Sequence, residues 1–585
     1  MEKFILIKKL WFHLREKFGA GFYGILALSV FASLCEVLSL GAIIPLISVF
    51  TDPQALFKHE IISRLLDVLE VTTSSELRLY VILGFIIALM IALIVRLVTM
   101  NLVIRWSYKA GVFIGKDIFE KTLHQPYQVH VNRHSSDIIS GASAKSNIVI
   151  AGVVLPVVTI ISSSIILVFI MLSLLLINPV VMLSVIGLLI LAYGFITFVS
   201  HGLLKRGSDV IASNTSELVR ILQESLGSIK DTIINNTQSY QIDRYIQKDT
   251  ELRRAQGTVQ IISQAPRLVM EAIGMVIIAV YAYNLTSSGA DVSKSLGLLA
   301  FIAVAAQRIL PLLQQIFSSW ANIKASTSTL EDVLRLLSQC VDNIGPDADQ
   351  EQLHFDKNIV ISKLFFTYHK ADKPVLEDVN LTINQGDRIG FIGQTGSGKS
   401  TLIDIIAGLL IPSAGFVSID SIRLTDANLI GWRKKVAYVP QSIFLSDKSI
   451  KENIAASDNP EKIDMDRVML AAEGAHIASY IESLTEGYAT SFGEMGKRLS
   501  GGQLQRIGIA RALYKNPELI IFDEATSALD MDTERQVMEE IYKLNSNVTI
   551  IIIAHRLESL GGCNKIYEIS DGAVRLVSDV LGVKE

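Results

Sequence analysis

"GFIGQTGSGKSTLIDIIAGLL", residues 390–410, decides what the second half of this chain is. Within it, Gly393-Gln394-Thr395-Gly396-Ser397-Gly398-Lys399-Ser400-Thr401 fits the spacing G-x-x-x-x-G-K-[ST], between an apolar strand-like run and a helical run. Glycines at these positions let successive backbone N–H groups turn toward a chain of phosphates. Lys399 adds a positive charge, and Ser400 offers an oxygen to Mg2+. A chance match in a chain this long is roughly 2% at ordinary glycine usage. The plain alternative, a glycine-rich turn without function, is therefore weak, and the stretch reads as a phosphate cradle.

Working outward, short apolar strands alternate with helical patterns: "RIGFIG" (388–393), "KVAYVP" (435–440), "LIIFD" (519–523) and "TIIIIAH" (549–555). This alternation predicts an α/β domain. Asp523 closes an apolar strand and suits a hold on the metal, while Glu524 beside it can orient or deprotonate an attacking water. A solvated helix start would also produce such a carboxylate pair, though rarely straight after four apolar residues. His555 ends another apolar strand, where it could contact a γ-phosphate; alone it would more often be structural.

Upstream the texture is different. The 585 residues are 50% apolar and only 19% charged, with a formal charge of −4 and a mean hydropathy of +0.43. This small charge points to no nucleic-acid partner. Cys35, Cys340 and Cys563 lie far apart and match neither a metal spacing nor a disulfide framework. Spanning a bilayer takes about 20 mostly apolar residues. Stretches near 22–50, 79–104, 148–177, 180–203, 259–284 and 295–320 qualify, giving six predicted spans. The basic, amphipathic residues 1–20 predict a helix lying on the membrane surface, and 54–71 a short outer helix. Lysine and arginine crowd the connections 105–147 and 204–258, which places both termini and the soluble half on the cytosolic side of the membrane. A polar linker follows, so we expect a membrane domain over 1–335 and a nucleotide-binding domain over 336–585.

The stretch "LSGGQLQR" (499–506) brings a family into view. Tyr368, the loop 393–401, Gln441 in "YVPQ", "LSGGQ", "LIIFDEATSALD" (519–530) and "IIAHR" (552–556) resemble, in order and spacing, the motifs of ATP-binding-cassette ATPases. The resemblance covers the whole soluble half. It implies that Tyr368 stacks on the adenine of ATP and that residues 393–401 grip its phosphates. Ser400, Gln441 and Asp523 would hold Mg2+, with Gln441 also sensing the membrane domain. Ser500, Gly501, Gly502 and Gln503 would cap the γ-phosphate of ATP held by a second subunit, with Asp530 at the dimer contact. Glu524, His555 and Gln441 would complete hydrolysis. Six spans followed by one such domain resemble an exporter-type half-transporter that works as a homodimer among membrane lipids, with coupling helices near 122–136 and 234–246 and a further contact at 493–498.

The cargo is harder to read. Arg96, Arg267 and Arg308 interrupt apolar spans, where charge is expensive and marks function by default. Guanidinium forks suit phosphate or pyrophosphate oxygens. Against this, Arg267 could pair with Glu271 four residues on, and Glu36 could neutralise Arg96. "PRLVMEAIG" and "RILP" are similar to PglK-like flippases of lipid-linked oligosaccharides. That similarity implies an anionic lipid-linked substrate; another amphipathic cargo, such as a lipid A-type lipid, a drug or a peptide, is the alternative.

Overall fold

The computed structural model describes residues 2–51, 73–177, 179–287, 292–339, 353–368, 371, 373–456, 459–493, 499–524, 531–544, 547–554 and 560–579. The predicted outer helix at 54–71 and His555, Asp530 and residues 494–498 lie outside them. The chain divides into two compact units. One comprises Met1–Gln125 with Asn132–Val341, the other Pro126–Val131 with Asp342–Glu585.

The first unit is built from long helices. They are α1 (Glu2–Gly41), α2 (Ser74–Leu123), α3 (Leu155–Ile177), α4 (Pro179–Gly227), α5 (Gln238–Ser287) and α6 (Val292–Ala325). Three stretches of described residues are long and apolar enough to cross a membrane by length and composition: Phe4–Phe50, Glu76–Leu123 and Ser135–Leu176. The helices α4, α5 and α6 contain the other three predicted spans. On α2, Leu83, Ile86, Ile87, Met90, Ile94 and Leu97 stand exposed, a surface that suits lipid better than water. Thr73 and Glu76 form a reciprocal capping box at its start, satisfying two backbone donors there.

Residues 2–20 are helical, as their amphipathic pattern predicts. They run without a break into the first span as α1. Leu10 and Leu14 are buried against Ala110, Ile114 and Ile118 of α2, while Phe4, Ile5 and Phe12 stand exposed, so protein covers only part of the apolar surface. Trp106 leaves room at Gly21 for no more than a hydrogen, because a Cβ there would meet its ring at 2.9 Å. The second predicted coupling helix is displaced. A short helix spans Ile229–Ile234, and α5 begins at Gln238, inside the predicted range 234–246. Asn236, with φ 51°, makes the turn between them.

The approach to α3 has two wide turns. Gly141–Lys145 and Ile150–Val154 are π-helical, separated by one α-helical turn, Ser146–Val149. Close packing accompanies both: a Cβ on Gly141 would lie 2.2 Å from Leu336 Cδ1, and one on Gly152 2.1 Å from Ser326 Oγ. Lys145, buried in the first, pairs with Asp332.

The second unit holds two sheets. Strands β1 (Asn358–Phe366), β2 (Leu376–Asn384), β4 (Ala414–Ile419) and β5 (Ile422–Arg423) form an antiparallel sheet in the order β2-β1-β4-β5. The other contains β3 (Arg388–Ile392), β6 (Val436–Val439), β7 (Leu519–Asp523), β8 (Thr549–Ile553), β9 (Lys565–Ser570) and β10 (Ala573–Asp579), in the order β10-β9-β3-β8-β7-β6. Strands β9, β3, β8, β7 and β6 run parallel. Every residue of β8 is buried, which explains its unbroken Thr-Ile-Ile-Ile-Ile. The helices α7 (Lys399–Ile406) and α8 (Gly501–Tyr514) belong to this unit, as does the short helix Tyr127–Val131 from the first predicted coupling segment.

Candidate functional site

Parallel strands deliver their chemistry at one edge. The loop 393–398 follows β3, Gln441 follows β6, and Asp523-Glu524 ends β7. In register, β3 pairs with β8 at Phe391↔Ile553 and β7 with β8 at Asp523↔Ile553. All these groups therefore sit at the carboxyl ends of neighbouring strands, where open α/β sheets bind ligands.

The loop has the shape that phosphates require. Gly393, Gly396 and Gly398 have φ of 149°, 86° and 104°, a region that favours glycine. A Cβ on Gly393 would lie 2.3 Å from the Ile569 carbonyl oxygen. Lys399, buried as a residue, donates its ammonium to the carbonyls of Gly393 at 2.8 Å and Gln394 at 2.9 Å. Gln394, Thr395 and Ser400 are exposed. The Ser397 hydroxyl is buried without a hydrogen-bond partner among the described residues, and an orphaned donor is what a phosphate oxygen satisfies. The residues thus fit nucleotide. Thr401 is taken up differently, its hydroxyl meeting Tyr368 Oη at 3.0 Å. Tyr368 also packs edge-on against Phe366, with centroids 4.9 Å apart.

The carboxylates are organised by neighbours. Tyr438 Oη donates to Asp523 Oδ2 at 2.7 Å, and Gln441 Nε2 donates to Glu524 Oε2 at 2.6 Å. Glu524 holds φ at 51°, a strained value for a residue with a side chain. Burial, with the Asp523 carboxylate nearby, pushes Asp404 up to about 6. Burial and the hydrogen bond to Asp523 keep the Tyr438 phenol protonated far above its usual range. Sequence reasoning missed both groups. The available signal for Asp404 was one carboxylate in the apolar run "LIDIIAG", four residues beyond Ser400. Tyr127 on the short helix 127–131 is also raised, by burial first and then by the charges of Asp404, Tyr368 and Asp523.

Ser500 caps α8. Its hydroxyl accepts from Gln503 N at 3.2 Å while Gln503 Oε1 accepts from Ser500 N at 2.9 Å. The exposed Gly501 then opens a helix start whose remaining N–H groups attract anions.

In the membrane half, two of the three arginines come together. Glu36, its side chain 4% exposed, accepts from Arg308 at 2.9 Å and from Arg96 at 3.5 Å. Arg267 does not join them; it pairs with Glu271 one turn on, at 2.8 Å. Arg96 and Arg308 line a cavity of about 530 Å³ with Ser39, Phe85 and Gln307. Arg96 also lines a second cavity, of about 480 Å³.

Comparison with known proteins agrees with both halves. The ABC transporter family profile matches residues 376–527, and that of the ABC transporter transmembrane region matches 25–309. The chain is 34% identical over 413 residues to the Toxin RTX-I translocation ATP-binding protein of Actinobacillus pleuropneumoniae, covering 68% of this chain and 55% of that one. It is 37% identical over 316 residues to the Leukotoxin export ATP-binding protein LtxB of Aggregatibacter actinomycetemcomitans, covering 53% and 43%. It therefore spans about half the length of the curated relatives it matches. These names describe toxin export, a cargo class other than the lipid-linked glycan suggested by the last two spans. A solved structure of a bacterial Atm1-family ABC exporter with ATP bound superposes with a TM-score of 0.77 at 20% identity, over 97% of this chain and 96% of that one. A membrane-helix domain of exporter fold, followed in the same polypeptide by a nucleotide-binding domain, each matching its ABC transporter profile, makes this a chain that joins the two domain types of ABC transporters.

Proposed function

We propose that two copies of this chain form an ATP-driven pump in a bacterial inner membrane, with termini and ATPase domains in the cytoplasm. The pump moves a lipid with an anionic headgroup from the cytoplasmic to the outer leaflet. A polyprenyl-pyrophosphate-linked oligosaccharide is the substrate class we favour. The observation that carries this reading is the Glu36–Arg96–Arg308 cluster. One carboxylate between two guanidiniums leaves one positive charge in excess, walled by apolar helices where charge is costly. Because Glu36 lines neither cavity while Arg96 lines both, it holds the guanidiniums from behind and presents their remaining N–H donors to an anion.

In the ATPase half, the backbone donors of 393–398 and Lys399 bind the phosphates. Mg2+, held by Ser400, Asp523 and Gln441, would neutralise phosphate charge. Glu524, oriented by Gln441, positions water and accepts its proton. Ser500 to Gln503 of one copy close over nucleotide on the other, so ATP joins the pair and hydrolysis releases it. The toxin exporters among the relatives favour a second reading, a protein cargo.

Reconstituted chain tested with polyprenyl-pyrophosphate lipid and with an unfolded acidic protein separates the two. We expect the lipid to stimulate ATP turnover and Arg308→Ala to abolish both stimulation and flipping while ATP still binds. Unchanged lipid flipping in Arg308→Ala, or stimulation by the protein alone, overturns the anionic-lipid reading.

A further inference from the structure

The second cavity, about 480 Å³ beyond Arg96, has a chemistry of its own. Its polar lining comes from α2 (Arg96, Thr99), α3 (Thr159, Ser162, Ser163) and α6 (Gln315, Ser318, Ser319). Part of this polarity is spent locally. Thr99 and Thr159 donate one turn back to Val95 and Leu155, and Ser318 donates to the Gln315 carbonyl. Hydroxyls of that kind are ordinary in membrane helices. Ser29 and Ser162 tie α1 to α3 with a 2.8 Å hydroxyl pair.

What remains is a set of donors. Ser163 donates to Gln315 Oε1 at 3.0 Å, which uses the amide oxygen and leaves its NH2 group with no protein partner among the described residues. Ser319, 6% exposed, likewise has no side-chain bond among them. Arg96 contributes N–H groups beyond the one directed at Glu36. An acyl tail packed here would strand these donors, at a cost comparable to burying an unsatisfied amide. A second anion would find a guanidinium already shared with Glu36 and no further cation in the lining.

We propose that this cavity is a second substrate subsite, which takes a neutral, oxygen-rich group joined directly to the anion: the first sugar of a glycosylated pyrophosphate lipid. Arg96 borders both cavities, so one guanidinium can meet an anion in the first and a group attached to that anion in the second. Sugar hydroxyl and acetamido oxygens accept from Gln315 and Ser319, while sugar hydroxyls donate to the serine lone pairs. The inference rests on the anionic-lipid reading and adds to it what the protein recognises beyond the phosphates.

The test compares two probes on reconstituted full-length chain: polyprenyl pyrophosphate, and the same lipid bearing one N-acetylhexosamine. Lipid-stimulated ATP turnover is titrated with wild type, Gln315→Ala and Ser163→Ala. We expect both variants to raise the half-saturating concentration of the glycosylated lipid about tenfold, and to leave that of the bare lipid within about twofold. Equal shifts for both lipids, as a misfolded variant would give, or no shift for either, overturn the sugar subsite and leave the anion site standing. A wild type that responds to neither lipid overturns the anionic-lipid reading, and the subsite with it.

Discussion

Glu524 combines a strained backbone with a short hydrogen bond from Gln441, so its carboxylate is held in one place rather than sampling rotamers. Glu524→Gln keeps the shape and removes the proposed base; ATP turnover should fall at least about a hundredfold with nucleotide binding intact. Residual turnover within a few-fold of wild type would assign the base elsewhere. Asp404 supports a different kind of prediction. Its pKa is raised to about 6, so the folded chain binds this proton more tightly than the unfolded chain does. Ionised Asp404 therefore destabilises the fold. The penalty is absent below the ordinary carboxylate range, grows toward pH 6, and is complete above it. Asp404→Asn should raise the melting temperature of nucleotide-free protein by about 3 °C at pH 7.5, an advantage that closes by pH 4. An advantage that stays constant with pH would mean that Asp404 does not titrate as described.

At the scale of the element, the start of α8 serves two purposes. Ser500 closes the helix by capping, and in the proposed dimer the same turn would also receive a phosphate from a second copy. Ser500→Asp separates these roles, since aspartate caps as well as serine but brings a negative charge. Stability should stay within about 0.5 kcal/mol of wild type, while ATP turnover drops by an order of magnitude or more because like charges meet. Ser500→Ala, by contrast, should cost about 1 kcal/mol of stability. Urea melts and turnover assays on both variants give the comparison. The helix α1 shows why an amphipathic pattern underdetermines its partner. Leu10 and Leu14 read as a stripe that must be buried, and so they are, but periodicity does not say whether lipid or Ile114 covers it.

For the whole molecule, legibility followed locality. The phosphate loop and the strand carrying Asp523 are contiguous words whose geometry is set by a few residues, and both take the backbone their pattern requires. Arg96, Arg308 and Glu36 are far apart in sequence: Glu36 lies 60 and 272 positions from its two partners. The arginines could be flagged as expensive and Glu36 offered as a partner for Arg96, but only the packing of α1, α2 and α6 shows that Arg308 shares that carboxylate. Arg267 looked equivalent and proved to be a local pair, because a carboxylate one turn away is always the cheaper solution. Tyr438 and Asp404 escaped notice because Asp523, the carboxylate both of them meet, arrives from another strand.

The wide turns that precede α3 have a rotational consequence. Each π turn admits one residue beyond an α turn, and each α-helical residue advances the azimuth by about 100°. The face that Ser162 and Ser163 show therefore depends on the two extra residues upstream. Removing Ala151 would leave a helix of nearly the same length, yet swing one portion about a third of a circle against the other, turning those serines out of the second cavity while Lys145 kept Asp332.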